Sequence, residues 1–219
     1  MTLPASLPDD ERTALLRHLG PHLAHVTARR NLDSIFSHGL RPTVELAALT
    51  DTACDNLTLR VTRARLRGNG IDATLGHQRP VTDHIGRTAA LLEDHSPHSW
   101  AALLNTRVFF WPGGREKSFG HHLSRDMRTA TLWLDTERLL RACAGRVDLS
   151  PINSGNFARG GGKARRGDWL FVPSVAGLAA FRANRQKRGY VRGRDTVAEI
   201  SVRGALSPSL LQHLLTEIA

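Results

Sequence analysis

The sequence has few cysteines and no long apolar run, and each shortage argues against a class of protein. Cys54 and Cys143 are its only cysteines, and no cysteine–histidine cluster surrounds them, so neither a disulfide framework nor a zinc site is predicted. No stretch approaches the ~20 apolar residues of a transmembrane helix. The start MTLPASLPDD has neither the basic nor the apolar segment of a signal peptide. We therefore expect a cytoplasmic protein with no membrane partner and no metal.

Acidic residues are also in short supply relative to basic ones. Thirty Lys and Arg against twenty Asp and Glu give a formal net charge of +10, and arginine, the dominant cation, binds phosphate bidentately. The arginines lie in predicted loops rather than along one helix face, which favours nucleic acid over a membrane surface as the anionic partner. An arginine-rich composition also accompanies a GC-rich genome, so charge alone leaves both interpretations open.

The first half of the chain carries mainly helix signals. A helix capped by Asp9 or Asp10 and stopped by Gly20 precedes the strand HLAHVT, after which Asn31 is the predicted N-cap of a second helix. Residues 41–99 are predicted to be mostly helix and loop, with helical stretches NLTLRVTRARLR and HIGRTAALLEDH separated by the turn GNG.

The second half turns to strand signals, which are aromatic and β-branched runs with partial alternation. The predicted strands are TRVFFW, RTATLWLD, DWLFVP and DTVAEISV, and the predicted helices are TERLLRAC and a terminal helix capped by Ser207 that includes Leu215 and Ile218. Helices followed by strands predict a single α+β domain, residues 1–219, with antiparallel sheets.

Two basic segments are predicted to be loops. Residues 153–168, NSGNFARGGGKARRGD, contain a glycine run without the GxxxxGK[ST] spacing, so ATP hydrolysis is not predicted. Residues 181–195, FRANRQKRGYVRGRD, combine six cations with Tyr190, a composition that suits phosphate contact plus base stacking. The alternative for both segments is a mobile, solvated surface.

Polar side chains interrupt two of the predicted strands. Alternation places His25 and Thr27 on one face of HLAHVT, and Glu199 with Ser201 on one face of TVAEISV. An acid among apolar neighbours on a strand either faces solvent or takes part in chemistry. Taken alone, solvent exposure is the more common outcome for Glu199, and a structural role is the more common one for His25.

Taken together, these motifs resemble the DarT-type DNA ADP-ribosyltransferases. The first strand of that family carries H-x-T followed by N-L-x-x-I-x-x-x-G-L, matched here by His25 to Leu40 in HVTARRNLDSIFSHGL. Its aromatic strand is similar to RVFFWP, and its catalytic strand A-E-x-L-V with a following helix is similar to AEISVRGALSPSLLQHL. The order and rough spacing agree over most of the chain.

The resemblance implies an ADP-ribosyltransferase-like fold, with two packed antiparallel-rich β-sheets around an NAD cleft and flanking helices. It also implies that NAD is the co-substrate and that Glu199 is catalytic, because a carboxylate can orient the ribose 2′-hydroxyl and stabilise positive charge that develops on the sugar. The cofactor-binding residues that it implies are His25, Thr27, Asn31, Phe109 or a neighbouring ring, Trp111 and Arg107.

One family residue has no clear counterpart. The family uses an arginine between its first and aromatic strands, and Arg79, Arg87 and Arg107 are the candidates here, of which Arg79 is our catalytic assignment. The family sequence P-R-S-P-M after the aromatic strand is replaced by PGGREKSF, with Arg115 nearest.

The acceptor implied by this fold is read by the loop before the catalytic strand. Its cations and its ring indicate DNA or RNA, held as a single strand or a flipped base. The nucleic-acid-binding residues that we predict are Arg185, Lys187, Arg188, Tyr190, Arg192, Lys163 and Arg165. By the same resemblance, the activity is that of a toxin or phage-defence effector with a neutralising antitoxin protein.

Three alternatives remain at this point. The chain can be an RNA 2′-phosphotransferase-like enzyme, a non-catalytic basic nucleic-acid-binding domain, or a transferase that acts on protein or has lost turnover. A shared nicotinamide riboside requires Glu199 to lie within about 12 Å of His25 and Thr27, a limit set by ligand size and hydrogen-bond reach.

Overall fold

The computed structural model describes residues 7–113, 127–157, 164–189 and 196–219. The α-helices of these ranges are Asp9–Leu19 (α1), Leu32–His38 (α2), Thr43–Leu49 (α3), Arg79–Thr82 (α4), Ile85–Leu91 (α5), Pro97–Leu104 (α6), Thr136–Ala142 (α7), Gly177–Lys187 (α8) and Pro208–Leu214 (α9). Short 3-10 helices span Arg29–Asn31, Cys54–Leu57, Ala144–Arg146, Asp168–Leu170 and Ser174–Ala176. None of the helices in these ranges is both long enough and apolar enough to cross a bilayer.

The described strands form one large and one small antiparallel sheet. The strands are His22–Ala28 (β1), Ala64–Gly68 (β2), Ile71–Leu75 (β3), Arg107–Pro112 (β4), Thr129–Asp135 (β5), Val147–Ser150 (β6), Val172–Pro173 (β7), Glu199–Arg203 (β8) and Leu215–Ile218 (β9). Seven of them pair in the order β7-β6-β8-β4-β1-β5-β9, and β2 pairs with β3. The predicted α+β class with antiparallel sheets is therefore confirmed.

The large sheet is covered on both faces. Phe110 pairs with Ile200 and belongs with it to the larger core, which also contains leucines of α1, α7 and α9. By alternation Phe109 projects to the other face, where it packs against a second cluster that includes Trp100 and Phe171. Because both faces are covered, the polar side chains of Glu199 and Ser201 on the central strand β8 are removed from water.

Several secondary-structure predictions are wrong. NLTLRVTRARLR does not form an α-helix: its end pairs as β2 with β3 around Asn69-Gly70, a sequence typical of a two-residue hairpin turn. Within DWLFVP only Val172–Pro173 is a strand. The last helix ends at Leu214, and Leu215–Ile218 adds an edge strand beside β5. The strand Val147–Ser150 was not predicted.

The basic segment 181–195 is not a loop throughout. Its first seven residues complete α8, which runs from Gly177 to Lys187. One face of this helix packs on the core through Leu178 and Phe181, so tertiary burial overrides the loop-like composition.

Candidate functional site: a cavity between the first and fourth strands

The strands β1 and β4 pair only near one end and then diverge. Leu23 pairs with Pro112 and Ala24 with Trp111, and these two strands, both described in full, share no further pair. The opposite edge of β4 stays paired with β8 over four residues. A cavity of about 220 Å³ fills the gap, and β3, α2 and residues 39–46 are among its other walls.

All six of the predicted cofactor-binding residues line this cavity. They come from β1, the following 3-10 helix and β4. The first and the last of them, residues 25 and 111, are 86 positions apart in the sequence. These residues are His25, Thr27, Asn31, Arg107, Phe109 and Trp111. The structure thus brings them together, while their binding of NAD stays a prediction.

His25 spans the gap where the strands separate. Its Nδ1 lies 2.9 Å from the carbonyl oxygen of Phe109, and its ring centroid is 5.7 Å from that of Phe110. Burial lowers the pKa of His25 below its ordinary value, outweighing the opposite effect of the Phe109 bond. The imidazole is therefore neutral at pH 7, with Nδ1 as the donor and Nε2 left as an acceptor.

Asn31 connects β1 to the small sheet instead of capping α2. Although it precedes the helix, its side chain makes no capping bond. Its Nδ2 donates to the hydroxyl of Thr27 and to the carbonyl of Thr74, both at 3.0 Å, and its Oδ1 accepts from the backbone N–H of Thr74 at 2.7 Å. Asn31 thereby fixes β3 as a wall of the cavity.

Two buried polar atoms at the cavity have no hydrogen-bond partner among the described residues. They are Oγ1 of Thr74 and Nε of Arg107, and both residues line the cavity. Unpaired buried polar atoms are costly, so they indicate a ligand with polar groups. The cavity is smaller than the ~300–1,000 Å³ that encloses a drug-sized ligand. Its size therefore suits one ring and a sugar better than a whole dinucleotide.

Arg107 joins the cavity to a buried ion pair. Its guanidinium contacts the carboxylate of Asp148, and the two side chains are only 8% and 3% exposed. The same guanidinium donates to the Ser201 hydroxyl at 3.1 Å and lies 4.0 Å from the ring centroid of Phe171. Arg107 is therefore held in place by contacts outside the cavity.

Glu199 is buried, which excludes solvent exposure. It is 3% exposed, and its Oε1 accepts from the Ser154 hydroxyl at 2.6 Å and from the Ser154 backbone N–H at 3.2 Å. Burial raises the pKa of Glu199 to about 7, against the opposing effects of the Ser154 bonds and of the Arg166 and Arg107 charges. Both protonation states are populated at neutral pH, as suits a group that handles protons or positive charge.

Glu199 lies one strand beyond the cavity wall and does not itself line the cavity. The β4–β8 register and alternation place its side chain on the same face as Phe109 and Trp111. His25 belongs by alternation to the other face, from which its ring reaches the gap. Because β1 separates from β4 beyond Ala24, before the positions of His25 and Thr27, the 12 Å limit stays a prediction.

The buried carboxyl should make stability depend on pH. Because the pKa of Glu199 is raised in the folded protein from 4.5 to about 7, the stabilising effect of its protonation is fully present below pH 4.5 and is lost as pH rises to about 7. Glu199→Gln removes the free-energy cost of burying an ionised carboxylate at high pH. In urea unfolding, the variant should gain up to roughly 3 kcal/mol over wild type at pH 8 and little at pH 5. A difference that stays constant with pH would contradict this.

Among the three arginine candidates, only Arg107 lines the cavity. Arg79 lies on α4, where its exposed side chain pairs with Asp83 at 3.2 Å. Arg87 donates to the Phe157 carbonyl at 2.6 Å. We therefore replace Arg79 by Arg107 as the arginine of this site.

The predicted nucleic-acid-binding residues divide into three groups. Arg165 and Arg188 both pair with the carboxylate of Glu93, at distances of 3.2 and 3.0 Å. Lys187 is exposed at the end of α8. Arg185 is 4% exposed and donates to the Thr196 carbonyl, so a structural role replaces the predicted one. Lys163, Tyr190 and Arg192 lie outside the described residues.

Sequence reasoning missed Thr74, Ser154, Asp148 and Arg166. The Asn-Gly pair could have indicated the hairpin that carries Thr74. The other three have no local signal, because their partners are more than ten residues away or are backbone carbonyls.

Comparisons with known proteins give one match. A family model described as "Family of unknown function (DUF7002)" matches residues 21–214, a range that contains the whole cavity lining. No curated protein and no solved structure matches the chain. Within the described ranges, no group of three or more His, Cys, Asp or Glu could hold a metal ion.

Proposed function

Because the chain belongs to the DUF7002 family, whose function is unknown, we propose its function from the cavity: NAD-dependent ADP-ribosyl transfer to a nucleobase of DNA or RNA. The observation that carries the proposal is the convergence of six residues from separate segments on one cavity, with a buried carboxyl one strand beyond. In this proposal the gap between β1 and β4 is the NAD cleft of an ADP-ribosyltransferase-like fold.

The cavity offers suitable groups for nicotinamide and its ribose. Phe109 and Trp111 supply rings for stacking, and the neutral imidazole of His25 offers Nε2 as an acceptor. The unpaired Thr74 hydroxyl and Arg107 Nε can bond polar groups of the ligand. NAD, when bound, supplies the activated glycosidic bond to nicotinamide, which leaves as positive charge develops on the ribose.

Glu199 is assigned to that developing charge. A carboxylate bound to a ribose hydroxyl orients the sugar and favours the transition state, in which positive charge moves from the nicotinamide ring onto the ribose, over the ground state. The low exposure of Glu199 strengthens such an interaction, because buried charges are poorly screened by water. Its pKa of about 7 means that the ionised form gains population as pH rises above neutrality, so transfer should be faster at pH 8 than at pH 6.

The acceptor is proposed from charge. Arg165 and Arg188 come from the two basic segments, and Glu93 holds both of them at one place on the surface. Arg188 also lies 4.3 Å from the ring centroid of Trp169. With Lys187 they form a cationic region suited to a nucleic-acid backbone.

We expect wild-type protein to transfer label from NAD to single-stranded oligonucleotides, and His25→Ala to weaken NAD binding at least about tenfold. The alanine variant loses both the Nε2 acceptor and a ring that fills the strand gap. His22→Ala is the matched control, because His22 is an exposed histidine on the same strand. NAD affinity is measured by calorimetry and transfer by gel.

Label on protein extract instead of nucleic acid would retain the transferase and overturn the acceptor. Salt-sensitive oligonucleotide binding with no NAD affinity in the wild type would overturn the enzyme and favour a binding domain.

A further inference from the structure

One oxygen of the Glu199 carboxyl is already occupied. Both hydrogen bonds from Ser154, through its hydroxyl at 2.6 Å and its N–H at 3.2 Å, end on Oε1. Across the described ranges, no residue donates a hydrogen bond to Oε2. The carboxyl therefore has one oxygen that is held and one that is left for another group.

Ser154 is itself fixed from two sides. Arg166, which is fully buried, donates to the carbonyls of Asn153 at 3.3 Å and Asn156 at 2.7 Å, on either side of Ser154. Trp100 donates its indole N–H to the Ser154 carbonyl at 3.2 Å. These bonds hold the backbone of the segment 153–156, so Ser154 has little freedom to turn away.

The cost of burying Arg166 points to a role for this arrangement. A guanidinium removed from water is expensive unless it is well bonded, and Arg166 spends its donors on backbone carbonyls that include Ala164 at 2.6 Å. It also lies 4.1 Å from the ring centroid of Phe157. One buried cation thus orders the short segment that contacts Glu199.

We propose that Ser154 is a positioning residue that fixes Oε1 of Glu199 and leaves Oε2 to bind the substrate ribose, with Arg166 ordering the segment that carries it. This inference rests on the proposed function, because it assigns the oxygen that meets the substrate. Ser154 acts through Glu199 and need not touch NAD.

Other groups also act on this carboxyl. The charges of Arg166, which follows the segment 153–156, and of Arg107 on β4 favour the ionised form of Glu199. Asp148, on β6, lies opposite Ser201 in the register and therefore on the same face of the sheet. Its negative charge is opposite to that of the two arginines, and it is paired with Arg107. Removing the Ser154 hydroxyl removes a bond to the ionised form, so the pKa of Glu199 should rise further above 7.

The test compares Ser154→Ala with Ser150→Ala. Ser150 lies directly opposite Glu199 in the β6–β8 register and is as buried as Ser154, but its Oγ has no hydrogen-bond partner in the described part of the chain. Two readouts are taken: the pH profile of kcat for label transfer, and the titration of the Glu199 carboxyl carbon by NMR.

Ser154→Ala should raise the pKa of Glu199 by about one unit, the size expected for a bond to a charged group. At pH 7 kcat should then fall about fivefold, since the ionised fraction drops from about a half to about a tenth. The difference should shrink by pH 9, KM should stay unchanged, and Ser154→Thr should restore the profile. Ser150→Ala should match wild type in both readouts.

An unchanged Glu199 titration in Ser154→Ala overturns the inference, whether or not wild type transfers label. Equal pH profiles for the two alanine variants do the same. If the titration of Glu199 shifts in Ser154→Ala but the wild-type protein transfers no label, Ser154 does position the carboxyl, and the proposed function is overturned instead.

Discussion

Glu199→Gln is expected to lower the rate of ADP-ribosyl transfer at least about 100-fold, the effect typical of removing one electrostatic group from a transition state. Glutamine keeps the shape of the side chain and an oxygen that can accept from Ser154. It cannot carry the negative charge that opposes the developing charge of the ribose. The loss should therefore appear in kcat, while KM for NAD changes little.

Single-turnover transfer from labelled NAD measures this effect. Glu217→Gln is the control, because Glu217 is an exposed glutamate on the edge strand β9 and should leave the rate unchanged. The same Glu199 variant is expected to be more stable than wild type above pH 7, so a lost rate cannot be ascribed to unfolding. Retention of most of the transfer rate would remove Glu199 from the mechanism.

Asp148→Ala is expected to lower the free energy of unfolding by about 3–5 kcal/mol, as measured for buried ion pairs that lose one partner. The reason is the partner that remains. Arg107, whose side chain is 8% exposed, would keep its charge out of water without the carboxylate that compensates it. Because Arg107 also lines the cavity, ligand affinity should fall together with stability.

Arg203→Ala is a matched control for this variant. Its Nε lies 3.4 Å from the same Asp148 carboxylate, but its side chain is 49% exposed, so its removal should cost less than about 1 kcal/mol. Urea unfolding of both variants gives the comparison. If Asp148→Ala and Arg203→Ala lower the free energy of unfolding by similar amounts, burial of the Arg107–Asp148 pair is not the reason for its contribution to stability.

Local patterns were sufficient for much of the fold. Alternating apolar residues predicted β1, β4 and β5, and Ser207 was correctly placed as the cap of the last helix, where its side chain accepts from the Leu210 N–H. Failures occurred where a long-range contact outweighed local propensity. The arginine-rich strand β2 is stabilised by pairing with β3, and Leu215–Ile218 leaves the terminal helix to pair with β5.

The site divides in the same way. The resemblance to the DarT-type transferases nominated six cofactor-binding residues, and all six line the cavity. The sequence did not place Asn31 correctly: its expected cap would use the local backbone, whereas its side chain bonds Thr74, 43 positions away. Arg185 was misassigned because its charge predicted exposure, while the fold buries it beside Thr196.

The sequence by itself determined a basic α+β chain with a histidine strand, an aromatic strand and a late carboxylate strand, since side-chain periodicity and composition are local properties. Only the tertiary structure decided that β1 and β4 separate to form a cavity, that Arg107 rather than Arg79 reaches it, and that Glu199 is buried against Ser154. Those outcomes depend on strand order and register, which bring together residues far apart in the chain and set the burial that shifts the pKa of Glu199.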